Sequence, residues 1–152
     1  MSDTDTRYML MALRQAELAF DEGEVPVGAV IEHEGRIMGQ AHNQVELLKD
    51  PTAHAEIIAI TQAASAMGDW RLNGTTIYVT KEPCPMCAGA IVAARISRAV
   101  WGVDDPLRGG ATSKFQILQN SDLNHNVEFE GGVMEKECRM LIQSFFKARR
   151  AT

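Results

Sequence analysis

His54 and Glu56 stand two residues apart, and Cys84 and Cys87 three apart, each pair where a loop gives way to a run that reads as a helix. Residues three apart at a helix start project on one face, and the free amides and dipole there favour thiolates. Cys84 and Cys87 can therefore chelate one ion together. If the two helices pack with their N-termini facing, His54 joins them. Two thiolates and an imidazole make a three-ligand set suited to Zn²⁺, with a fourth position open to water. An open position implies catalysis, because a metal there lowers the pKa of bound water from ~15.7 toward roughly 7. Glu56 is placed to overhang that position and carry protons without being a ligand.

Positioning these four side chains requires a scaffold, and the apolar spacing predicts one. Met9, Ala12, Leu13, Ala16, Ala19 and Phe20 predict a helix over 6–22, with Gly23 as its C-cap. Segments 27–31 and 36–41 flank Glu34-Gly35 and read as a hairpin. A polar connection through Asn43, Asp50 and Pro51 leads to Thr52, the expected N-cap of a helix over 53–67. A strand over 75–80, a small-residue helix over 83–94, a short strand over 99–103 and a polar loop over 104–113 follow. The chain closes with a strand over 127–130 and a helix over 133–150, whose apolar side carries Met134, Cys138, Leu141, Ile142, Phe145 and Phe146. This order predicts an α/β protein, a mixed sheet with helices on both faces in three α/β/α layers. Strand order is not readable from the pattern.

Composition bounds the partners. The 152 residues fit one domain, 1–152. Fifteen basic against twenty acidic side chains leave a net charge of -5 and a pI near 5.3, which argues against a charge-driven coat on nucleic acid but not against a local basic patch. Three cysteines make no disulfide framework and suggest a reducing compartment. No segment approaches the ~18 apolar residues of a membrane span. The expected location is the cytoplasm, with no membrane partner.

Taken together, His-x-Glu followed by Pro-Cys-x-x-Cys resembles the signature of zinc-dependent nucleobase deaminases, a match of pattern and not a deduction from spacing. The stretches Glu24-Val25-Pro26-Val27-Gly28-Ala29, Asp50-Pro51-Thr52-Ala53-His54-Ala55-Glu56 and Glu82-Pro83-Cys84-Pro85-Met86-Cys87-Ala88-Gly89-Ala90 look like the bacterial tRNA-specific adenosine deaminases of the cytidine-deaminase-like superfamily. Asp105-Pro106, Gly109-Gly110, Leu123-Asn124-His125, Gly132-Val133, Glu137-Cys138 and Phe145-Phe146 extend the likeness over nearly the whole chain. The metal motif is common to the superfamily, whereas the loop and the last helix point to the tRNA branch.

That resemblance implies a cytidine-deaminase-like fold with a mixed five-stranded sheet. It implies one catalytic Zn²⁺ per subunit on His54, Cys84 and Cys87, with Glu56 as proton shuttle. The implied reaction converts adenosine at the tRNA wobble position to inosine: hydroxide generated at the metal attacks C6, and ammonia leaves. Asn43 matches an asparagine that hydrogen-bonds the flipped base, Ala55 beside the motif counts among the substrate-binding residues, and Asp105 matches an acidic residue at the anticodon-loop backbone. Arg108, Lys147, Arg149 and Arg150 are the expected RNA contacts, and a homodimer is implied. The chain departs from the family pattern at Leu107, where many members carry lysine, and at Ser113-Lys114-Phe115-Gln116.

Plainer readings compete at several positions. Cys138 reads as a core cysteine, against a structural Cys₃His site that it would complete. His33, His42 and His125 lack ligand spacing; His125 divides between a surface position and a structural hydrogen bond. Trp70 and Trp101, near strand ends, read as core. Lys147, Arg149 and Arg150 divide between a solvated helix end and phosphate contacts. The alternative activity is deamination of a free nucleobase, nucleoside or nucleotide of the guanine or cytosine type, and the alternative class is a non-enzymatic zinc module. The tRNA reading expects positive charge to gather around Arg108, Lys147, Arg149 and Arg150 beside the metal pocket.

Overall fold

Helix α1 (Asp3–Asp21) opens on Ser2, whose Oγ accepts from the Asp5 amide at 3.0 Å. The computed structural model describes residues 2–150. Strands β1 (Gly28–His33) and β2 (Arg36–His42) form the expected hairpin. Its two turn residues, Glu34 and Gly35, have φ of 50° and 81°, the left-handed pair that matches the twist of the flanking strands. The connection that read as merely polar contains a short helix, α2 (Val45–Leu48). Its first amides, those of Glu46 and Leu47, donate to the buried Glu24 carboxylate at 3.0 and 2.9 Å. A helix held by a distant carboxylate leaves little local periodicity to read.

Then come α3 (Ala55–Met67), β3 (Thr76–Lys81), α4 (Pro85–Ala93) and β4 (Arg98–Val103). A single 3₁₀ turn at Ile117–Gln119, β5 (Glu128–Glu130) and α5 (Glu135–Arg150) complete the order. The sheet runs β2-β1-β3-β4-β5. The hairpin is antiparallel to β3, while β3, β4 and β5 are parallel. The five-stranded mixed sheet is therefore as expected, and its strand order comes from the structure.

Alternation along the strands sorts the two cores. Ala29, Ile31, Ile77, Val79, Ala99 and Trp101 face α3 and α4, whereas Val30, Tyr78 and Val100 face α1 and α5. Each fully buried Ile or Val side chain contributes roughly 1.5–3 kcal/mol. The α3 face is built from small residues, with Ala55, Ala59 and Ala63 fully buried at every fourth position. On the opposite face an ion pair replaces part of the apolar contact. Asp5 accepts both Arg98 guanidinium nitrogens at 2.8 Å and the Tyr78 hydroxyl at 2.9 Å, tying the start of α1 to β3 and β4.

Two local readings are corrected, those of Thr52 and Trp70, while Trp101 is core as expected. Thr52 does not cap α3: its amide and hydroxyl both donate to Asp50 Oδ1, at 2.8 and 2.7 Å, a side-chain turn that competes with capping. Trp70 is not core; it is 54% exposed with the Arg71 guanidinium 4.5 Å from its ring centroid. Trp101 is buried, and its indole N–H donates to Asp104 Oδ1 at 2.7 Å. Cys138 lies 1% exposed in the core on the α1 and α5 side, with the sheet between it and the cysteine pair. Among the described residues no helix is long and apolar enough to cross a membrane.

Candidate active site

Helices normally begin on a residue whose side chain caps its own first amides. Neither α3 nor α4 does. Their N-caps are His54 and Cys84, both in extended backbone conformation and neither making a side-chain cap. The two side chains turn toward each other instead. His54 Nδ1 lies 3.6 Å from Cys84 Sγ and 3.4 Å from Cys87 Sγ. The missing cap on α3 comes from elsewhere: Asn43 Oδ1, at the end of the hairpin, accepts from the Ala55 amide at 2.7 Å. On α4, Pro85 fills the first helical position, where no amide hydrogen is needed.

The three donor atoms lie within 4.8 Å of one another. A tetrahedral zinc with Zn–S near 2.3 Å and Zn–N near 2.05 Å has S···N edges of about 3.6 Å. The observed separations are therefore those of a site shaped for such an ion, and sulfur with imidazole is a zinc-type donor set. Protonation fits as well. The Cys87 thiol beside Cys84, and then His54, hold the Cys84 thiol down at about 4. The bond to Cys84, with burial, pushes Cys87 up. Cys84 is thus the more readily ionised of the pair, and a cation held there would favour the thiolate of both. Cys138 is not in this cluster, so the Cys₃His reading has no geometric support.

Glu56, the second residue of α3, is 3% exposed and lines the same cavity as His54 and Cys84. Burial pushes its carboxyl above the ordinary carboxylate range, which is the direction a proton carrier working near neutral pH requires. Asn43 also lines the cavity, and its carbonyl bond to α3 leaves its amide NH₂ as the donor available to a ligand. Ala55 is different. It is fully buried, its amide is bonded to Asn43, and it does not line the cavity.

The rim is made by the loop after β4 and by the end of α5. Asp105, Arg108 and Arg149 line the cavity, whereas Lys147 and Arg150 line an adjoining hollow with Phe146 between the two. Asp105 turns its carboxylate back into its own loop. Oδ1 accepts from the Leu107 and Arg108 amides at 3.1 Å, and Oδ2 pairs with Lys81 at 3.0 Å. Although burial opposes it, Lys81 and these amides hold the Asp105 carboxyl below its usual range.

Sequence reading missed Glu24, Lys81 and Glu82, which line the same cavity, and treated Phe146 only as part of an apolar stripe. Glu24 and Glu82 are 2% and 3% exposed. The available signal was a carboxylate at the edge of an apolar run, Glu82 directly after β3 and Glu24 just ahead of β1. His125 Nε2 donates to the Ile96 carbonyl at 2.8 Å, the structural member of its two readings.

Comparison with known proteins agrees with this geometry. The MafB19-like deaminase family matches residues 3–150. A tRNA-specific adenosine deaminase of Bacillus subtilis (strain 168) is 44% identical over 146 residues, covering 96% of this chain and 91% of that protein. One of Aquifex aeolicus (strain VF5) is 47% identical over 142 residues, covering 93% and 94%. A solved structure from a study of A-to-I editing by tRNA:A34 deaminases at the wobble position superposes with a TM-score of 0.86 at 40% identity, covering 90% of this chain and 99% of that one. With a family match from one end of the fold to the other and relatives this similar along their whole length, the chain belongs to the MafB19-like deaminases and, among them, to the tRNA-specific adenosine deaminases.

Proposed function

We propose that this protein hydrolytically deaminates adenosine to inosine at the wobble position of a tRNA anticodon loop, with one catalytic zinc held by His54, Cys84 and Cys87. The observation that carries the chemistry is the buried Glu56 carboxyl in one cavity with the His54 imidazole and Cys84, with Cys87 buried behind them at tetrahedral spacing. The full-length similarity to tRNA-specific adenosine deaminases supports the substrate.

Bound zinc supplies Lewis acidity, which makes water a competent nucleophile near neutral pH. The chain's own residues do the rest. Glu56 takes the proton from the attacking water, passes it to the ring nitrogen next to C6, and carries a second to the departing amine. Asn43 offers its amide NH₂ to an acceptor on the base edge. The cavity holds about 270 Å³, room for one base. A base splayed out of the strand would enter it, with the rest of the loop lying across the rim. Arg108 and Arg149 at the mouth and Lys147 and Arg150 beside it give that rim positive charge on a chain of net charge -5.

A homodimer acting in the cytoplasm completes the reading. The exposed Leu47 and Leu48 on α2 give such an interface apolar surface to cover. The deciding experiment incubates the zinc-loaded protein with an anticodon stem-loop bearing adenosine at the wobble position, beside a panel of free bases and nucleosides. Inosine in the RNA is the expected product. Ammonia from a free base with no inosine in the RNA overturns the substrate.

A further inference from the structure

Glu82 is a buried carboxylate at the site that the deamination steps above do not use. It follows β3 directly and stands two residues ahead of Cys84. One oxygen, Oε1, accepts from the Asp105 amide at 3.0 Å and from the Ser113 hydroxyl; Oε2 accepts from the Thr112 and Ser113 amides at 2.9 Å. These four donors come from the two ends of the loop that carries Asp105 and Arg108. A buried charge survives only when its lone pairs are satisfied, and here one loop satisfies them all.

The loop also rests on the metal-site helix itself. The Gly110 amide donates to the Pro83 carbonyl at 2.7 Å. A methyl group on Gly109 would stand 2.5 Å from the Glu82 carboxyl, and one on Gly110 would stand 2.5 Å from the Pro85 nitrogen. Only glycine permits both approaches. Lys81, next to Glu82, holds the Asp105 side chain in the same place. The contacts therefore link the rim to the start of α4, with the Glu82 carboxylate taking four of the loop's donors and the Gly110–Pro83 bond and the Lys81–Asp105 pair beside it.

We propose that Glu82 is a positioning residue for the RNA: it sets the 104–113 loop, with Asp105 and Arg108, at the cavity mouth before the substrate arrives. A loop ordered in advance does not have to be ordered on binding, and that saving is read in KM. Glutamine in its place keeps the shape but has one acceptor oxygen and one NH₂. Turned toward the Thr112 and Ser113 amides, the NH₂ faces two donors; turned the other way it faces the Asp105 amide and the Ser113 hydroxyl, which can rotate to accept, so at least one amide loses its acceptor either way.

The RNA measurement rests on the tRNA reading; an exchange measurement on the free protein does not. In E82Q the amides of Asp105, Thr112 and Ser113 should exchange hydrogen at least about tenfold faster than in the parent. Zinc content should be unchanged, KM for the stem-loop should rise about tenfold or more, and kcat should stay within about threefold. Ser113→Ala removes one of the four donors and leaves the amides, so it serves if E82Q does not fold; it should raise KM about two- to threefold. Unchanged amide exchange in the folded variant overturns the proposal. So does loss of zinc, or a fall in kcat at constant KM, since either places Glu82 in support of the metal site instead. If the parent protein makes no inosine in the stem-loop, the tRNA reading fails, and Glu82 is judged on exchange alone.

Discussion

The floor and the rim of the cavity are built on opposite principles. The floor, His54, Glu56, Cys84 and Cys87, comes from two helix starts packed on one face of the sheet, and Glu56 and Cys87 are buried. The rim, Asp105, Arg108, Lys147, Arg149 and Arg150, comes from a loop and a helix end, and its arginines and lysine are exposed. On the function proposed, the floor would hold atoms at fixed separations because a metal and a proton transfer tolerate little displacement. The rim would then supply charge to a flexible strand whose geometry the protein cannot impose. Glu82 is the point at which the two meet.

The comparison yields a series of expected outcomes. Stripping the metal with a chelator should abolish turnover. If zinc is held about a thousandfold above its Kd, the unfolding midpoint should also fall by roughly 8–16 °C, from about 4 kcal/mol of lost binding. Restored activity on adding zinc completes the test; a metal-free protein that still deaminates would remove the floor's role. Glu56→Ala should retain zinc, measured by metal analysis, and lower kcat by about 10² to 10⁴. A change in KM alone would move Glu56 from floor to rim.

A substitution that touches neither region should act on stability only. Asp5 is held below the ordinary carboxylate range, chiefly by Arg98 and further by Tyr78. Its folded value is below its unfolded one, so its contribution is present above about pH 4 and is lost as the pH falls through the folded value. Asp5→Asn should cost about 2 kcal/mol at pH 7 by denaturant titration and flatten the acid limb of stability, while leaving kcat unchanged. The smallest effect belongs to the rim. Arg108→Ala should raise KM for the stem-loop about fivefold and reduce the salt dependence of binding by about 0.7 in log–log slope, with kcat kept. An equal loss with a free nucleoside would show that Arg108 reads the base and not the phosphates.

Much of the floor was legible because its pattern is local. Cys84 and Cys87 share a helix face at a spacing of three, and Glu56 follows His54 within a turn. Elements with strong periodicity, α1 and the hairpin, were equally readable. What failed to show had its cause far along the chain. Thr52 looked like a cap, yet the cap of α3 is Asn43, twelve residues before Ala55. The short α2 depends on Glu24, more than twenty residues away. Glu82 shows in the sequence only as a carboxylate at the edge of an apolar run, and its four donors are set by the loop that folds over it.

Residue types and short spacings thus determined the chemistry available to this protein: a thiolate pair, an imidazole and a carboxylate at helix starts, on a chain too acidic to coat nucleic acid by charge alone. Only the tertiary structure decided that two helices would give up their own caps to face each other across one cavity. The same is true of the five-strand order and of the loop held by one buried carboxylate. The physical reason is range. Periodicity and capping act within a few residues, whereas a metal-sized gap and a satisfied buried charge are set by partners thirty residues apart, which the pattern of neighbours along the chain does not encode.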